Sequence, residues 1–288
     1  YCKDAGYKIE SSSKVGYRLI ESVDILLPEK IDIGLDTEFM GQNIVHYDQL
    51  DSTNQLAKEQ ADNNVQEGTV VLTEQQKTGK GRIGRQFYSP QGGIWLSCIL
   101  RPNLKPVLAT RATYIASLAL AKTIEKLTDL KPSIKWPNDV LIDGYKVSGI
   151  LTEMGAELDQ INYLVVGIGV NANIKKESLP SELHNKATTL SHELGEEIDR
   201  IKFVQLLLKF IEEIYLKIDN FPEVLEEWKQ YSYTLGEEII ITNPQEKTQG
   251  LAVDIASDGA LIVEVDGKEE KVYSGDVSIR HKNLRSKN

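Results

Sequence analysis

Lys135-Trp-Pro-Asn-Asp-Val-Leu-Ile-Asp-Gly-Tyr-Lys-Val-Ser-Gly-Ile-Leu151 carries an Asp143-Gly144 pair between two apolar runs. An Asp-Gly pair in that setting predicts a two-residue hairpin with a type I′ turn, because both central residues must take positive φ. With that turn, Leu141 pairs with Lys146 and Asp139 with Ser148. Alternation then puts Asp139, Leu141, Lys146 and Ser148 on one face. A carboxylate and an ammonium lie about 7–8 Å apart on the diagonal of such a face. A surface ion pair worth about 0–1 kcal/mol satisfies this geometry. So does a lysine that grips a substrate carboxylate beside an acid holding a cation or a phosphate-bound Mg²⁺.

Strands and helices alternate outward from the hairpin. Thr69–Gln75, Ile94–Leu100, Val140–Met154 and Tyr163–Val170 read as strands. Asp51-Ser52 offers an N-cap to a helix beginning near Asn54. Pro106 is expected to open a helix whose stripe is Ala112, Ala116, Ala119, Leu120, Ile124 and Leu127. Phe203–Ile218 is a helix that turns Val204, Leu207, Leu208, Ile211, Tyr215 and Ile218 inward. The economical architecture is α/β (α+β), a central mixed sheet flanked by helices, over residues 41–231.

Both ends differ in character. Tyr7–Glu10 and Gly16–Ile20 flank Ser11-Ser-Ser-Lys14 and predict two short strands, marginal alone, that look like the tail of a larger N-terminal unit within residues 1–40. From 232 to 288, short β-rich runs (Glu238–Thr242, Leu251–Ile255, Leu261–Val265, Lys271–Tyr273) are punctuated by Asn243-Pro244, Asp258-Gly259 and Asp266-Gly267. That spacing predicts a small all-β barrel or sandwich.

The 288 residues are 41% hydrophobic and 26% charged, an ordinary globular balance, and no run approaches the roughly 20 apolar residues of a membrane span. The first residues have neither the basic nor the apolar stretch of a secretory signal. Two cysteines, Cys2 and Cys98, make no disulfide framework, so a cytoplasmic protein is expected. The net charge of −10 opposes nucleic-acid binding over most of the surface. His46, His184, His192 and His281 lack metal-ligand spacing and read as surface or satisfied side chains.

Three further segments carry candidate chemistry. Gln75-Gln-Lys-Thr-Gly-Lys-Gly-Arg-Ile-Gly-Arg-Gln-Phe-Tyr88 runs out of a strand with three glycines and four cations, Lys77, Lys80, Arg82 and Arg85. Glycines permit close approach of backbone to a ligand, and the cations suit a triphosphate or acyl-phosphate. Neither the Walker A nor the G-x-G-x-x-G register is present, and a solvated basic loop has the same composition. In Val165-Val-Gly-Ile-Gly-Val-Asn-Ala-Asn173, Gly167 and Gly169 weaken a strand unless a ligand or another chain segment packs on bare backbone. Asn171 at its end could read an adenine edge or a phosphate. Asp51-Ser-Thr-Asn54 offers hydroxyls and an amide at a helix start, which plain N-capping also explains.

In order and spacing these segments resemble the bacterial biotin protein ligases, also called biotin–[acetyl-CoA-carboxylase] ligases. Asp-Ser-Thr-Asn at 51–54, Gly-Lys-Gly-Arg-Ile-Gly-Arg at 79–85, Lys-Trp-Pro-Asn-Asp at 135–139, Lys-Val-Ser-Gly-Ile-Leu at 146–151 and Gly-Ile-Gly-Val-Asn at 167–171 carry the resemblance, which runs over essentially the whole chain. It implies a class II synthetase-like catalytic domain and a small C-terminal SH3-like β-barrel. It also implies that biotin and ATP are joined to biotinyl-5′-AMP and that biotin then passes to a lysine of a biotin carboxyl carrier domain. Ser52, Thr53, Asn54, Gln76, Lys80, Gly81, Arg82, Lys146, Gly149, Leu151 and Gly167 would hold biotin. Arg82, Arg85, Phe87, Lys135, Asn138 and Asn171 would serve ATP or the adenylate. Arg82, Lys146 and Asp139 would be catalytic, with Mg²⁺ held through phosphates near Asp139 and no dedicated metal site. A homodimer through the sheet edge is a family expectation.

The family's frequent Gly-Arg-Gly-Arg is here Gly79-Lys-Gly-Arg82; lysine keeps the charge and loses bidentate geometry. Residues 1–22 resemble only the end and wing of the winged helix-turn-helix many members carry. A full-length parent would also repress transcription at an operator; this chain is not expected to. Two other readings stand beside the first: a lipoate–protein ligase of the same architecture, and a biotin-sensing regulator without transfer.

Overall fold

The computed structural model describes residues 8–12, 16–21, 24–242, 247–273 and 276–279. β1 (Lys8–Ser12) and β2 (Gly16–Glu21) form an antiparallel pair. A short helix, α1 (Pro28–Asp32), leads to β3 (Ile44–Tyr47), α2 (Thr53–Asp62) and β4 (Val70–Thr73). β3 and β4 lie parallel, so α2 is their crossover. Then come β5 (Ile94–Leu100), α3 (Arg111–Leu127), β6 (Pro132–Lys135), β7 (Asp139–Ile142), β8 (Tyr145–Glu157) and β9 (Gln160–Val170). α4 (Leu190–Leu194), α5 (Arg200–Tyr215) and α6 (Phe221–Gln230) follow.

The expected mixed sheet is a seven-stranded one in the order β3-β4-β5-β9-β8-β7-β6, antiparallel everywhere except β3–β4. Its two faces differ. Ile94, Leu96, Cys98 and Leu100 of β5, with Leu164, Val166, Ile168 and Val170 of β9, join α3 and α5 in the main core. α3 places Ala112, Ala116, Ala119 and Ala121 against this surface, and such small side chains let a helix lie close. The other face carries α2, whose Ala57 and Ala61 pack on Val71, Ile99 and Val165. Burial pushes the Cys98 thiol up to about 12, so it behaves as a small hydrophobe. Cys2 and His281 lie outside the described residues.

Several expectations shift. The Asp143-Gly144 turn has positive φ at both residues, 49° and 83°, and Leu141 does pair with Lys146. A bulge then inserts Val147, so Val140 pairs with Ser148 and Asp139 with Gly149. Ser148 therefore leaves the Asp139–Lys146 face and gives its hydroxyl to Gly169 O at 2.6 Å. Pro106 opens only a 3₁₀ turn, Pro106–Leu108, and α3 starts at Arg111. Leu127, at the end of α3, is 42% exposed and leaves the stripe.

β10 (Glu238–Thr242), β11 (Lys247–Ile255), β12 (Leu261–Val265), β13 (Lys268–Val272) and β14 (Asp276–Ile279) form a five-stranded antiparallel sheet in the order β13-β12-β11-β10-β14. This small sheet fits an SH3-like module. Asp266 and Gly267 take the positive φ of the expected tight turn; the Asn243-Pro244 turn lies outside the described residues. The sheet is keyed to the core by its Asp258-Gly259 turn, where Tyr114 OH donates to Gly259 O at 2.8 Å and Thr110 Oγ1 to Asp258 O at 3.1 Å.

A buried ionic cluster joins the leading segment to the sheet. Arg200, at the start of α5 and 2% exposed, donates to Asp24 Oδ2 (2.7 Å), Asp24 O (2.5 Å), Gly93 O (2.6 Å) and Glu74 Oε2 (3.0 Å). Glu74 Oε1 accepts from Leu26 N at 2.7 Å. His46 Nε2 lies 3.5 Å from the same oxygen, an ion-pair contact without hydrogen-bond alignment, so His46 is a largely buried partner of Glu74 rather than a surface side chain. Burial pushes the Glu74 carboxyl up, but His46, the Arg200 charge and the Leu26 N–H outweigh it and hold it below its ordinary value. A depressed carboxyl stabilises above its unfolded value, about 4.3, and that contribution is lost as pH falls through the folded value. Glu74→Gln is therefore expected to lower unfolding free energy by about 3 kcal/mol at neutral pH. Denaturant melts of both proteins between pH 7 and pH 3 should converge toward the acid end; parallel curves would exclude the assignment.

Candidate functional site

The site grows from the face of β9 opposite the main core, where Gly167 and Gly169 leave the backbone bare. Gly149 of β8 pairs with Gly169, and Leu151 with Gly167, so the bare patch spans two strands. Its space is taken by side chains from elsewhere. A Cβ on Gly167 would come within 2.0 Å of Asn54 Oδ1, and one on Gly169 within 2.9 Å of the Phe87 ring. Phe87 lies over the glycine patch, edge-on to Trp95 at 5.8 Å.

α2 delivers Ser52, Thr53 and Asn54 to this patch, all about 4% exposed. Ser52 has the extended backbone of an N-cap but makes no capping bond with its side chain. Gln76 supplies the acceptor instead: its Oε1 receives the N–H of Thr53 at 2.9 Å, while its Nε2 donates to Ser89 Oγ at 2.9 Å. The Gln76 amide is thus fixed at both ends. Ser97 Oγ lies 2.6 Å from Asn54 Oδ1 and 2.8 Å from Thr53 Oγ1.

The glycine- and cation-bearing segment is a narrow hairpin. Phe87 N donates to Gly79 O (2.8 Å) and Gly81 N to Arg85 O (2.7 Å), with Arg82–Gly84 at the tip. Ile83 adopts φ 55°, a left-handed conformation unfavourable for a β-branched residue, and is 62% exposed. Arg82 Nη1 donates to Asn138 Oδ1 at 3.2 Å, and Asn138 Nδ2 to Ile150 O at 2.8 Å, so the hairpin tip is tied to the start of β7. Lys80 and Arg85 are exposed on the same hairpin.

On the bulged β7–β8 hairpin, Lys146 Nζ lies 2.6 Å from Asp139 Oδ1. The pair is an ionic contact rather than an aligned hydrogen bond, for Asp139 Oδ1 is buried without a properly aimed donor. Lys146 Nζ also sits 5.4 Å from the Phe87 ring centroid, within cation–π range. Lys135 faces Asp139 across the β6–β7 connection. Asn171 is 5% exposed and donates Nδ2 to Thr188 O at 3.0 Å, so its amide supports the following loop.

Two hollows open here. Ser52, Thr53, Asn54, Gln76, Lys80, Phe87, Gly149, Leu151, Gly167 and Gly169 border a small one of about 30 Å³, room for a few waters. Arg82, Asn138, Leu151, Glu153, Thr110, Tyr114, Gly259 and Tyr273 border a larger one of about 330 Å³ beside the C-terminal sheet. The hairpin spans both, with Lys80 on the first and Arg82 on the second. Ser97, Ser89, Trp95, Lys58 and Glu153 are site residues absent from the sequence reading. Ser97 was detectable as the lone hydroxyl in Ile94-Trp-Leu-Ser-Cys-Ile-Leu100; the others had no local signal.

Residues 46–171 match the model of the biotin/lipoate A/B protein ligase family, and residues 234–280 the biotin protein ligase C terminal domain. The bifunctional ligase/repressor BirA of Bacillus subtilis is 37% identical over 277 residues, 95% of this chain and 85% of that protein. The biotin–[acetyl-CoA-carboxylase] ligase of Paracoccus denitrificans is 30% identical over 198 residues, covering 67% and 82% respectively. Among solved structures, biotin protein ligase from Aquifex aeolicus in complex with biotin and ATP superposes with a TM-score of 0.72 at 31% identity, over 83% of this chain and 99% of that one.

Because a Cβ on Gly167 would collide with the Asn54 amide, Gly167→Ala is expected to cost about 1–3 kcal/mol of stability. Asn54→Ala in the same chain should remove most of that cost by removing the colliding amide. A double-mutant cycle from urea melts checks it, and additive losses would mean that the two positions do not compete for space.

Proposed function

The chain belongs to the biotin protein ligase family, and we propose that it joins biotin to ATP as biotinyl-5′-AMP and transfers the biotinyl group to a carrier lysine. The observation that carries this reading is the convergence, on one glycine-floored face, of a fixed polar end and a cationic end. Thr53, Asn54 and Gln76 offer hydrogen-bonding groups already held by protein partners. At the other end stand Lys146 and the Arg82 hairpin. A ligand with a polar ring, an apolar middle along Gly149 and Leu151 and a terminal carboxylate matches that layout.

The chemistry is mainly electrostatic. Biotin's carboxylate must approach an α-phosphate of like charge, so positive groups have to be in place beforehand. Arg82 is held by Asn138, and Lys146 waits on Asp139 above the Phe87 ring, where a carboxylate can displace Asp139 as its partner. A carboxylate oxygen forms the bond to the α-phosphorus as pyrophosphate leaves. The carrier lysine's neutral amine then attacks the acyl carbon, its C–O bond to phosphate breaks, and AMP departs. The hairpin at 78–85 excludes water from the mixed anhydride. Phe87 and Lys80 wall the smaller hollow, so they must move for biotin to enter it.

The described residues hold no cluster of three acidic, histidine or cysteine side chains suited to a metal. The under-satisfied Asp139 Oδ1 fits a cation carried in on the nucleotide's phosphates. Mg²⁺ bound in that way would supply further charge screening. Ser52, Gly81 and Gly167 are assigned to biotin, Arg85, Phe87, Lys135 and Asn171 to ATP or the adenylate, Asn171 through its hold on the loop at Thr188. The catalytic unit is assigned to 41–231 and the SH3-like module to 232–288. Beyond Ile150, β8 pairs only with β9 among the described residues, and this open edge suits a homodimer. None of the described helices is long and apolar enough to cross a membrane; the proposed setting is the cytoplasm. Repression is proposed only for a parent chain carrying a recognition helix ahead of β1 and β2.

Two outcomes test the reading. Incubation with ATP and either biotin or lipoate should release pyrophosphate with biotin alone; equal or faster turnover with lipoate would overturn the assignment. Lys146→Ala should slow adenylate formation by about 10²–10³-fold. Its unfolding free energy should move by less than about 1 kcal/mol, since its ion pair is a third exposed. A large stability loss with intact adenylation would make Lys146 structural.

A further inference from the structure

Asn54 owes its orientation to a carboxylate behind the smaller hollow. Its Nδ2 donates to Glu153 Oε2 at 2.9 Å and to Leu151 O at 3.2 Å. A backbone carbonyl and an ionised carboxylate can only accept, so these partners decide which end of the amide carries the hydrogens. Glu153 stays ionised: burial pushes its carboxyl up, but hydrogen bonds from Asn54 and Lys58 and the charges of Lys58 and Lys80 hold it below its ordinary value. Lys58 stands one turn beyond Asn54 on α2 and reaches Glu153 Oε1 at 3.0 Å. Glu153 is thus gripped by two residues of one helix face.

With both its hydrogens engaged, Asn54 can offer a ligand only Oδ1. That oxygen lies over the bare backbone of Gly167 and accepts one bond, from Ser97 Oγ at 2.6 Å, which leaves a lone pair. Glu153 itself does not border the smaller hollow.

We propose that Glu153 is a positioning residue that presents Asn54 to the hollow as an acceptor, and so selects ligands carrying an N–H at that end. The inference rests on the biotin reading, in which the matching donor is a cyclic urea N–H. A vitamin of the lipoate type, whose ring has no N–H, would leave this acceptor unpaired, which a buried polar group tolerates poorly.

Calorimetric titration of the whole chain without ATP tests the proposal. The ligands are biotin and the two cyclic carbamates in which one or the other ureido N–H is replaced by oxygen. The unaltered protein should bind one carbamate about a hundredfold more weakly than biotin. Glu153→Leu should weaken biotin by about tenfold and leave that carbamate nearly unchanged, so the preference shrinks by the same factor. If the leucine variant does not fold, Glu153→Asp carries the test, because it keeps the charge beside Lys58 but withdraws the oxygen from Asn54 by one methylene. An unchanged preference, or an equal loss for all three ligands, would overturn the role of Glu153 alone. Failure of the unaltered chain to bind biotin would overturn the ligase reading, and this inference with it.

Discussion

β9 must be a core strand on one side and a floor on the other, and most of the molecule follows from meeting both demands. Leu164, Val166, Ile168 and Val170 anchor it to α3 and α5, while Gly167 and Gly169 leave the opposite surface without side chains. Glycine in a strand gives up packing and conformational order. Here that loss is offset by position, because β9 sits fourth of seven strands, paired along its length with β5 and β8. An edge strand could not carry so bare a face.

The groups above that floor form one hydrogen-bonded assembly. Gln76 connects the start of α2 to Ser89 at the far end of the cationic hairpin, and Arg82 connects the hairpin tip to Asn138. Position therefore passes between α2, the hairpin and β7 through side-chain amides rather than through a continuous apolar core. Amides suit this task, since each can donate and accept at once and fix two neighbours. The result is a site whose polar groups are ordered by protein partners before any ligand arrives, the condition under which electrostatic help costs least reorganisation.

Much of this was legible in the sequence because periodicity and turn chemistry are local. The Asp143-Gly144 turn, the inward stripe of α5 and the alternating strands and helices came from such signals. The register of β7 against β8 did not, because a bulge at Val147 depends on packing and leaves no local mark. That single inserted residue exchanged Ser148 for Gly149 on the site face. Capping misled for a related reason: Ser52 has the right type and backbone, yet the acceptor comes from Gln76, more than twenty residues away. Glu153 and Lys58 look like ordinary surface charges until the fold brings β8 beside α2. Lys80, Arg82, Lys146 and Asp139 stand out by order and spacing along the chain; Lys80 borders the smaller hollow and Arg82 the larger, while Lys146 and Asp139 pair with each other beside the Phe87 ring.

The Arg200 cluster has a mechanical side. Its guanidinium holds Asp24 by both side chain and main chain, and Glu74 grips Leu26 two residues later. Glu74 is itself only two residues from Gln76. The leading segment is therefore moored at its inner end to the root of the hairpin, not hung from a slack tether. Tension applied ahead of residue 24 would load Arg200 and Glu74 first, and would reach Gln76 through two peptide bonds. Whatever precedes that point on the chain is connected to the amides that border the smaller hollow by a short, stiff line.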